Sequence, residues 1–283
     1  MNKEKVLVVG LGETGLPLYE LLKECGKFTV YGFDIDPAKM REIGQAPSEL
    51  PNTVDVMHVC IPYASQQKFV RILVKNIGKF HPGLVIINST VPPGTTPRIH
   101  EQSKDSLVAH SPIRGVHKSR EYMKWEIKRW KKYIGGATRE AANATREHFE
   151  KVGLNTKMLN NSTETELAKL FETTYRAWMI SCFQEMHRIT NKFKADFNSV
   201  VDFLEDTHRE RLDRPIMFPG EIGGHCVIPN VKLLMEVYDS EFLQITVESN
   251  EKRKQELKDP KIKEEAEKVR KRSENLQKEL MDK

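Results

Sequence analysis

The chain has 283 residues, 39% of them hydrophobic and 30% charged, with a formal net charge of +5. That length suits one large domain plus a smaller one, no apolar run approaches the roughly 18 residues of a membrane span, and the charge excess is too uneven to argue for a nucleic-acid partner. Four scattered cysteines, Cys25, Cys60, Cys182 and Cys226, show neither a C-x-x-C pair nor Cys/His ligand spacing, which argues against a disulfide framework or a zinc site and for a reducing compartment.

Residues 5–9, Lys-Val-Leu-Val-Val, form an apolar, β-branched run of the kind that is buried on both faces of a parallel sheet. The run starts too near the N-terminus to leave room for a signal peptide, so a cytoplasmic protein is expected. Gly10-Leu-Gly12-Glu13-Thr14-Gly15 follows and passes directly into a helical pattern at Leu16, Tyr19 and Leu22. In such a strand-to-helix turn the first glycine allows the tight bend, the second admits a pyrophosphate against the backbone, and the third lets helix pack on strand. The free N–H groups at the helix start then face the anion. Residues 28–33 read as the next strand and end in Asp34, where a carboxylate accepts from ribose hydroxyls and repels a 2′-phosphate. The pattern predicts a dinucleotide site built on Gly10, Gly12, Glu13, Thr14, Gly15 and Asp34, with NAD preferred over NADP.

Further strands are expected at residues 56–60, 84–88, 106–109, 133–135 and 156–159, separated by amphipathic segments. The clearest of these is a helix over 68–77 with Phe69, Ile72, Leu73 and Asn76 on one face. The alternation predicts an α/β fold whose N-terminal domain, residues 1–160, is a Rossmann doubly wound, mostly parallel sheet. Ligands in such sheets lie beyond the C-terminal strand ends, which here are Ile61-Pro62, the segment from Ser89 through Thr90 to Gly94, and His110 to Gly115. Arg114, His117, Lys118 and Arg120 follow the last of these as a basic cluster suited to a phosphate or carboxylate, or equally to a solvated turn. His110, His117 and His225 have no ligand spacing, so no metal is expected.

A second, all-helical domain is expected over residues 161–256. It opens with a capping box, Thr163 to Glu166, and a long helix whose face carries Leu167, Leu170, Phe171, Thr174, Trp178, Cys182, Glu185 and Ile189. Residues 196–211 read as another helix. Residues 218–230, Phe-Pro-Gly-Glu-Ile-Gly-Gly-His-Cys-Val-Ile-Pro-Asn, read as a loop because their glycines and prolines oppose a regular element, and a helix is expected from 231 to 238. Residues 257–283 form a charged amphipathic helix, capped by Asp259, opened by Pro260 and striped by Ile262, Ala266, Val269, Leu276 and Leu280 with a break at Ser273. From Glu251 onward there are twelve Lys/Arg against nine Asp/Glu, so this helix is expected to pack its stripe on the body or on a second subunit.

Five strings occur in an order that resembles the UDP-glucose/GDP-mannose dehydrogenase family over roughly residues 1–255: Gly10 to Pro17, Ser89-Thr-Val-Pro-Pro-Gly-Thr-Thr96, Ser111-Pro112, Glu166-Leu-Ala-Lys-Leu170 with Thr174-Tyr-Arg176, and Gly223-Gly-His-Cys226. The resemblance implies a Rossmann domain, a central helical domain that pairs subunits through its long helix, and a C-terminal sugar-nucleotide domain that would begin where this sequence ends. It implies oxidation of a sugar primary alcohol to a carboxylate by two NAD molecules through a cysteine-bound aldehyde. Carried over by motif, Cys226 is the nucleophile, Lys169 stabilises the oxyanion and Thr90 lies near the nicotinamide. Lys169 lies one turn before Thr173, and the Cys226 thiol sits in a glycine-rich loop beside His225, although a free cysteine is more often a small buried hydrophobe.

Three residues depart from the family's pattern. Ile113 replaces a glutamate, Thr173 an asparagine, and Asn230 the aspartate that serves as base for water, and an amide takes no proton from water at neutral pH. The sequence therefore predicts an NAD-dependent oxidoreductase, a homodimer through the long helix with its surplus Trp178, Phe183 and Met186. Its expected substrate is an anionic, sugar-derived alcohol or aldehyde, nucleotide sugars included, bound by Arg114, His117, Lys118 and His225. The alternatives are an inactive NAD-binding regulatory module and a full dehydrogenase completed by another chain.

Overall fold

The computed structural model describes residues 3–281, which divide after Leu170 into two compact units. The first is built on a seven-stranded sheet: β1 (Glu4–Val9), β2 (Phe28–Phe33), β3 (Val56–Val59), β4 (Leu84–Ile87), β5 (Leu107–His110), β6 (Lys132–Gly136) and β7 (Thr156–Met158), in the order 2-1-3-4-5-6-7. Every pairing is parallel except that of β5 with β6. Only a six-residue helix, α2 (Pro37–Glu42), and a 3-10 turn lie between β2 and β3, so β2 is an edge and the strand order reverses beside β1. That reversal opens the crevice in which open α/β sheets bind ligands.

Strand periodicity explains the two-sided core. Val6 and Val8 of β1 point into one apolar cluster, under α1 (Gly15–Glu24), α5 (Arg120–Arg129) and α6 (Arg139–Val152). Leu7 and Val9 point into the other, under α3 (Gln66–Phe80) and α4 (Thr95–Glu101). On α3 the buried residues are Phe69, Val70, Leu73, Ile77 and Phe80, with Ile72 and Asn76 at the edge of that face.

The helix α7 (Ser162–Lys192) starts in the first unit and continues into the second, which also contains α8 (Phe197–Arg211), α9 (Val227–Met235), α10 (Glu241–Glu256) and α11 (Pro260–Met281). Three expectations are corrected here. The cap of α7 is Asn161, whose Oδ1 accepts from the Glu164 N–H, while Glu164 accepts from the Asn160 N–H; Glu166 is instead buried with a partner elsewhere. The inward face of α7 within the second unit is Thr174, Ala177, Ile180, Phe183, Gln184, His187 and Thr190, and it leaves Phe171, Cys182 and Ile189 exposed. Finally, α9 begins at Val227, four residues earlier than expected, because Pro229 falls in its first turn, where a missing N–H has no helical acceptor to lose.

The tail helix α11 packs within this unit. Ala266, Val269, Ser273 and Leu276 form its buried stripe, and the Ser273 break is a polar pin whose hydroxyl donates to the Ile216 carbonyl at 2.7 Å. Arg272 pairs with Asp202 and Glu205 of α8, and Arg209 with Glu279.

Candidate active site

The glycine loop joins β1 to α1, and its three glycines answer to different demands. Gly10 has φ +90°, and a Cβ there would lie 2.6 Å from the Cys60 carbonyl oxygen. A Cβ on Gly15 would lie 1.7 Å from the Gly10 carbonyl oxygen, so both positions are fixed by packing within the chain. A Cβ on Gly12 would meet nothing within 4 Å. The fold therefore does not require glycine at position 12, whereas a ligand pressed against that backbone does. Thr14 occupies the N-cap of α1 without a side-chain cap bond, and because in the first turn the Leu16 N–H is bonded to the Gly12 carbonyl at 3.0 Å and Pro17 has none, an anion here would be met by the N–H groups of the glycine loop itself.

Asp34 ends β2 beside this loop. Its Oδ2 accepts from the Leu11 N–H at 2.7 Å and lies 3.5 Å from Lys39 Nζ, and its Oδ1 accepts from the Asp36 N–H at 2.9 Å. Burial works against its charge, but these hydrogen bonds and Lys39 outweigh burial and hold the carboxyl below its ordinary range. The carboxylate is thus ionised and fixed at the end of the strand.

The neighbouring strand ends are tied together from beneath. Ser89 Oγ donates to the Ile61 carbonyl at 2.6 Å, linking the segment of Thr90, half-buried, to that of Pro62, exposed. Glu166 on α7 accepts from the Gly94 N–H (2.7 Å), the Thr96 N–H (2.8 Å) and the Thr96 hydroxyl (2.6 Å), which fastens the 89–96 loop to the helix that carries Lys169 one turn later. Burial raises the Glu166 pKa to about 6, against the pull of these donors. His110 reaches the Ser89 carbonyl through Nε2 (3.1 Å) and Thr165 through Nδ1 (2.8 Å). Burial pushes its pKa down to about 3, so it is a neutral imidazole whose Nε2 donates to the Ser89 carbonyl, while the single proton of the Thr165 hydroxyl has both Nδ1 and the Ser162 carbonyl (2.8 Å) within reach.

Lys132, fully buried on β6, donates to the Ser111 and Pro112 carbonyls at 2.7 and 3.1 Å. Burial brings its pKa to about 7, with Lys169 lowering it further and Cys60 opposing. Glu166 and Lys132 escaped the sequence reading. The first had the spacing of a helix cap, and the second left one visible signal, a lysine inside an apolar strand. Ile113, at the position of the family's glutamate, is core.

The structure does not bring the basic cluster to one point. The Arg114 guanidinium stacks 4.5 Å from the Trp130 ring, and His117 Nδ1 lies 3.0 Å from Glu13. Lys118 Nζ sits 4.8 Å over Tyr122, and Arg120 bridges Glu20 and Glu42.

In the second unit Cys226 is half-buried at the N-cap of α9, at the positive end of the helix dipole, an environment that stabilises an anion at or beside sulfur. A ring nitrogen of His225 lies within 4.8 Å of its Sγ. Asn230, buried one turn along α9, donates from Nδ2 to Thr173 Oγ1 at 3.0 Å. The two departures from the family pattern are therefore partners. One position supplies the amide and the other the hydroxyl, and neither offers a carboxylate.

A strand-to-helix glycine loop answered by a strand-end carboxylate, with a helical unit built on a long helix, defines an α/β fold with a Rossmann-type sheet followed by helices. Residues 163–252 match the central domain of the UDP-glucose/GDP-mannose dehydrogenase family. The UDP-N-acetyl-D-mannosamine dehydrogenase of Methanocaldococcus jannaschii is 27% identical over 261 residues, covering 79% of this chain and 60% of that protein. The UDP-N-acetyl-D-glucosamine 6-dehydrogenase of Pseudomonas aeruginosa is 30% identical over 269 residues, covering 80% and 61%. The solved UDP-D-ManNAc dehydrogenase of Pyrococcus horikoshii shares the fold at TM-score 0.69 and 23% identity, covering 87% of this chain and 68% of that one. The match to the family model is thus confined to residues 163–252, and the chain spans 60–61% of the length of these two relatives.

Proposed function

We propose that this chain is an NAD-dependent oxidoreductase acting on the alcohol or aldehyde carbon of an anionic, sugar-derived substrate. The observation that carries the cofactor half is Gly12, a glycine that packing does not demand at the mouth of a helix N-terminus, with ionised Asp34 beside it. The loop from Gly10 through Glu13 and Thr14 to Gly15 would hold the pyrophosphate, Asp34 the ribose hydroxyls, and Pro62 and Thr90 would border the nicotinamide. NAD supplies a hydride acceptor when bound.

Lys169 orients and polarises the substrate oxygen. Cys226 adds through sulfur to the aldehyde carbon while the carbonyl oxygen takes the thiol's proton, giving a thiohemiacetal, and loss of the hydroxyl proton together with a hydride from that carbon, for which NAD would be the acceptor, leaves a thioester. Water must then cleave the thioester, and the Asn230–Thr173 pair positions water without taking its proton. Loss of a general base costs ~10²–10⁴ in rate, so the hydrolytic half is slow. The regulatory-module reading draws on the same pair.

Two further parts of the proposal rest on separate observations. Phe171, Tyr175, Met186, Ile189 and Phe193 form an exposed stripe along α7 and just past its end, which suits a homodimer. Four free cysteines suit a reducing compartment, and we place the protein in the cytoplasm.

Titration calorimetry with NAD and NADP tests the cofactor assignment. NAD is expected to bind tighter, and Asp34→Ala to weaken NAD and narrow the difference. Equal or tighter binding of NADP by the unaltered chain rejects it.

A further inference from the structure

Residues 114–133 of the first unit hold eight Lys/Arg against two Asp/Glu, a surplus larger than the +5 of the whole chain, so the basic character of this protein lies in one short segment. Four aromatic residues, Tyr122, Trp125, Trp130 and Tyr133, are interleaved with those cations. Helical spacing places Tyr122, Trp125 and Arg129 of α5 on one face. Lys118 lies 4.8 Å over the Tyr122 ring, whose centre is 5.3 Å from that of Trp125. The Arg129 guanidinium lies 4.6 Å from the centre of the Trp125 ring and 4.8 Å from that of Trp130, which ends the helix. Trp130 also has Arg114 at 4.5 Å, and Arg114 lies 6.0 Å from Tyr133 on β6. In the parallel pairing of β6 with β7, Tyr133 stands opposite Lys157, whose ammonium is 5.8 Å from the ring. Cations and rings thus follow one another in an unbroken row from Lys118, across α5, to the edge strand β7.

Carboxylates do not quench this row. Glu126 is buried and accepts from the Trp130 indole N–H, and Glu121 lies 2.8 Å from Lys124. Arg120 and Lys124 are taken up by Glu20, Glu24 and Glu42. Lys118, Arg129, Lys131 and Lys157 are exposed and form no ion pair among the described residues, and Trp125 is 48% exposed. A guanidinium stacked on an indole keeps its N–H fork available to a phosphate, and rings at such intervals offer their faces to successive bases.

We propose that this row is a binding surface for single-stranded nucleic acid, with Arg114, Lys118, Arg129, Lys131 and Lys157 on phosphates and Trp125 as the main stacking platform. An acidic protein or an anionic polysaccharide would be held by the cations alone, whereas the interleaved rings favour bases. A duplex keeps its base faces within its own stack, so a single strand is the form that fits. The surface is independent of the oxidoreductase reading, since the glycine loop, Asp34 and Cys226 take no part in it.

The test is fluorescence anisotropy of the full chain with a labelled twelve-nucleotide deoxythymidine strand, beside an abasic strand and a duplex of the same length, over a range of salt concentrations. The single strand is expected to bind about tenfold tighter than the abasic strand, and its affinity to fall with salt at a log–log slope of roughly −3, the release expected from four or five phosphate contacts. Trp125→Ala should weaken the single strand about tenfold and leave the abasic strand unchanged. Arg129→Met should weaken both strands and make the slope shallower by about 0.7. Thermal melting confirms that each variant is folded. The proposal is overturned if the single strand does not bind at the lowest salt, or if the abasic strand or the duplex binds as tightly, which would make this a general polyanion patch. It is equally overturned if folded Trp125→Ala and Arg129→Met bind the single strand like the unaltered chain.

Discussion

The two units hold their functional residues by different means. In the first, the glycine loop, Asp34 and the strand ends are set by backbone geometry: parallel strands fix the level, and Gly10 and Gly15 permit approaches that no side chain would survive. In the second, the cysteine loop and its surroundings are set by side chains bonded to one another, Asn230 to Thr173, Gln184 to Gly220 and buried Arg253 to α7. A backbone-defined site tolerates little change and looks alike across sequences. A side-chain-defined site depends on matched partners, as the amide of Asn230 and the hydroxyl of Thr173 are matched here.

The largest effect is expected where the second unit's pairing is cut. Arg253 is fully buried, donates to the Gln184 carbonyl at 2.8 Å and lies 3.2 Å from Glu256. Burial lowers its pKa to about 10, with Glu256 opposing. Arg253→Ala is expected to cost about 3–5 kcal/mol in urea denaturation. Arg253→Met, which restores volume without charge, separates packing from pairing.

In the first unit the comparison is sharpened by two glycines three residues apart. Gly15→Ala must displace α1 from β1 and is expected to cost about 3 kcal/mol. Gly12→Ala should leave the melting temperature unchanged and weaken NAD, a separation that calorimetry and thermal melting together would show. Equal destabilisation by both would mean that packing, not a ligand, accounts for Gly12.

Glu166 gives a smaller effect with a definite sign. Its folded pKa of about 6 exceeds its ordinary value of 4.5, so its contribution to stability is complete below about 4.5 and lost as pH rises through 6. Relative to Glu166→Gln, the unaltered chain should gain about 2 kcal/mol as pH falls from 7 to 4.5. Buried His58 and His148, with lowered pKa values, act oppositely in both proteins, so the difference curve is the readout. A flat difference would place Glu166 among ordinary carboxylates.

The smallest effect on the fold itself is expected on the outer face of α7. Ile189→Asp, at an exposed position, should change the stability of the subunit by no more than about 0.5 kcal/mol while shifting the mass seen by light scattering from dimer to monomer. A monomeric mass for the unaltered chain at micromolar concentration would remove the dimer from the account.

What could be read in the sequence follows the same division. The strands, the glycine loop and Asp34 were legible because period-two burial and glycine placement are local signals. The phase of α7 was not, because polar Thr174, Gln184 and His187 point inward while Phe171, Tyr175 and Ile189 point outward, so hydrophobicity marks the wrong face. The start of α9 was hidden by a proline in its first turn. Glu166 has the spacing of a cap, and its partners lie about seventy residues earlier in the chain. Asn230 and Thr173 were visible only as separate departures, since nothing in the sequence says that they touch.

The most direct measurement is the fate of Cys226 when the protein meets an aldehyde of an anionic sugar together with NAD, followed by intact-protein mass and NADH absorbance. The account predicts a burst of about one NADH per chain and an acyl adduct on Cys226, which Asn230→Asp converts into continuous turnover. Steady turnover by the unaltered chain, with two NADH per alcohol oxidised and no adduct, would contradict it and show that another group, His225 first among them, activates water.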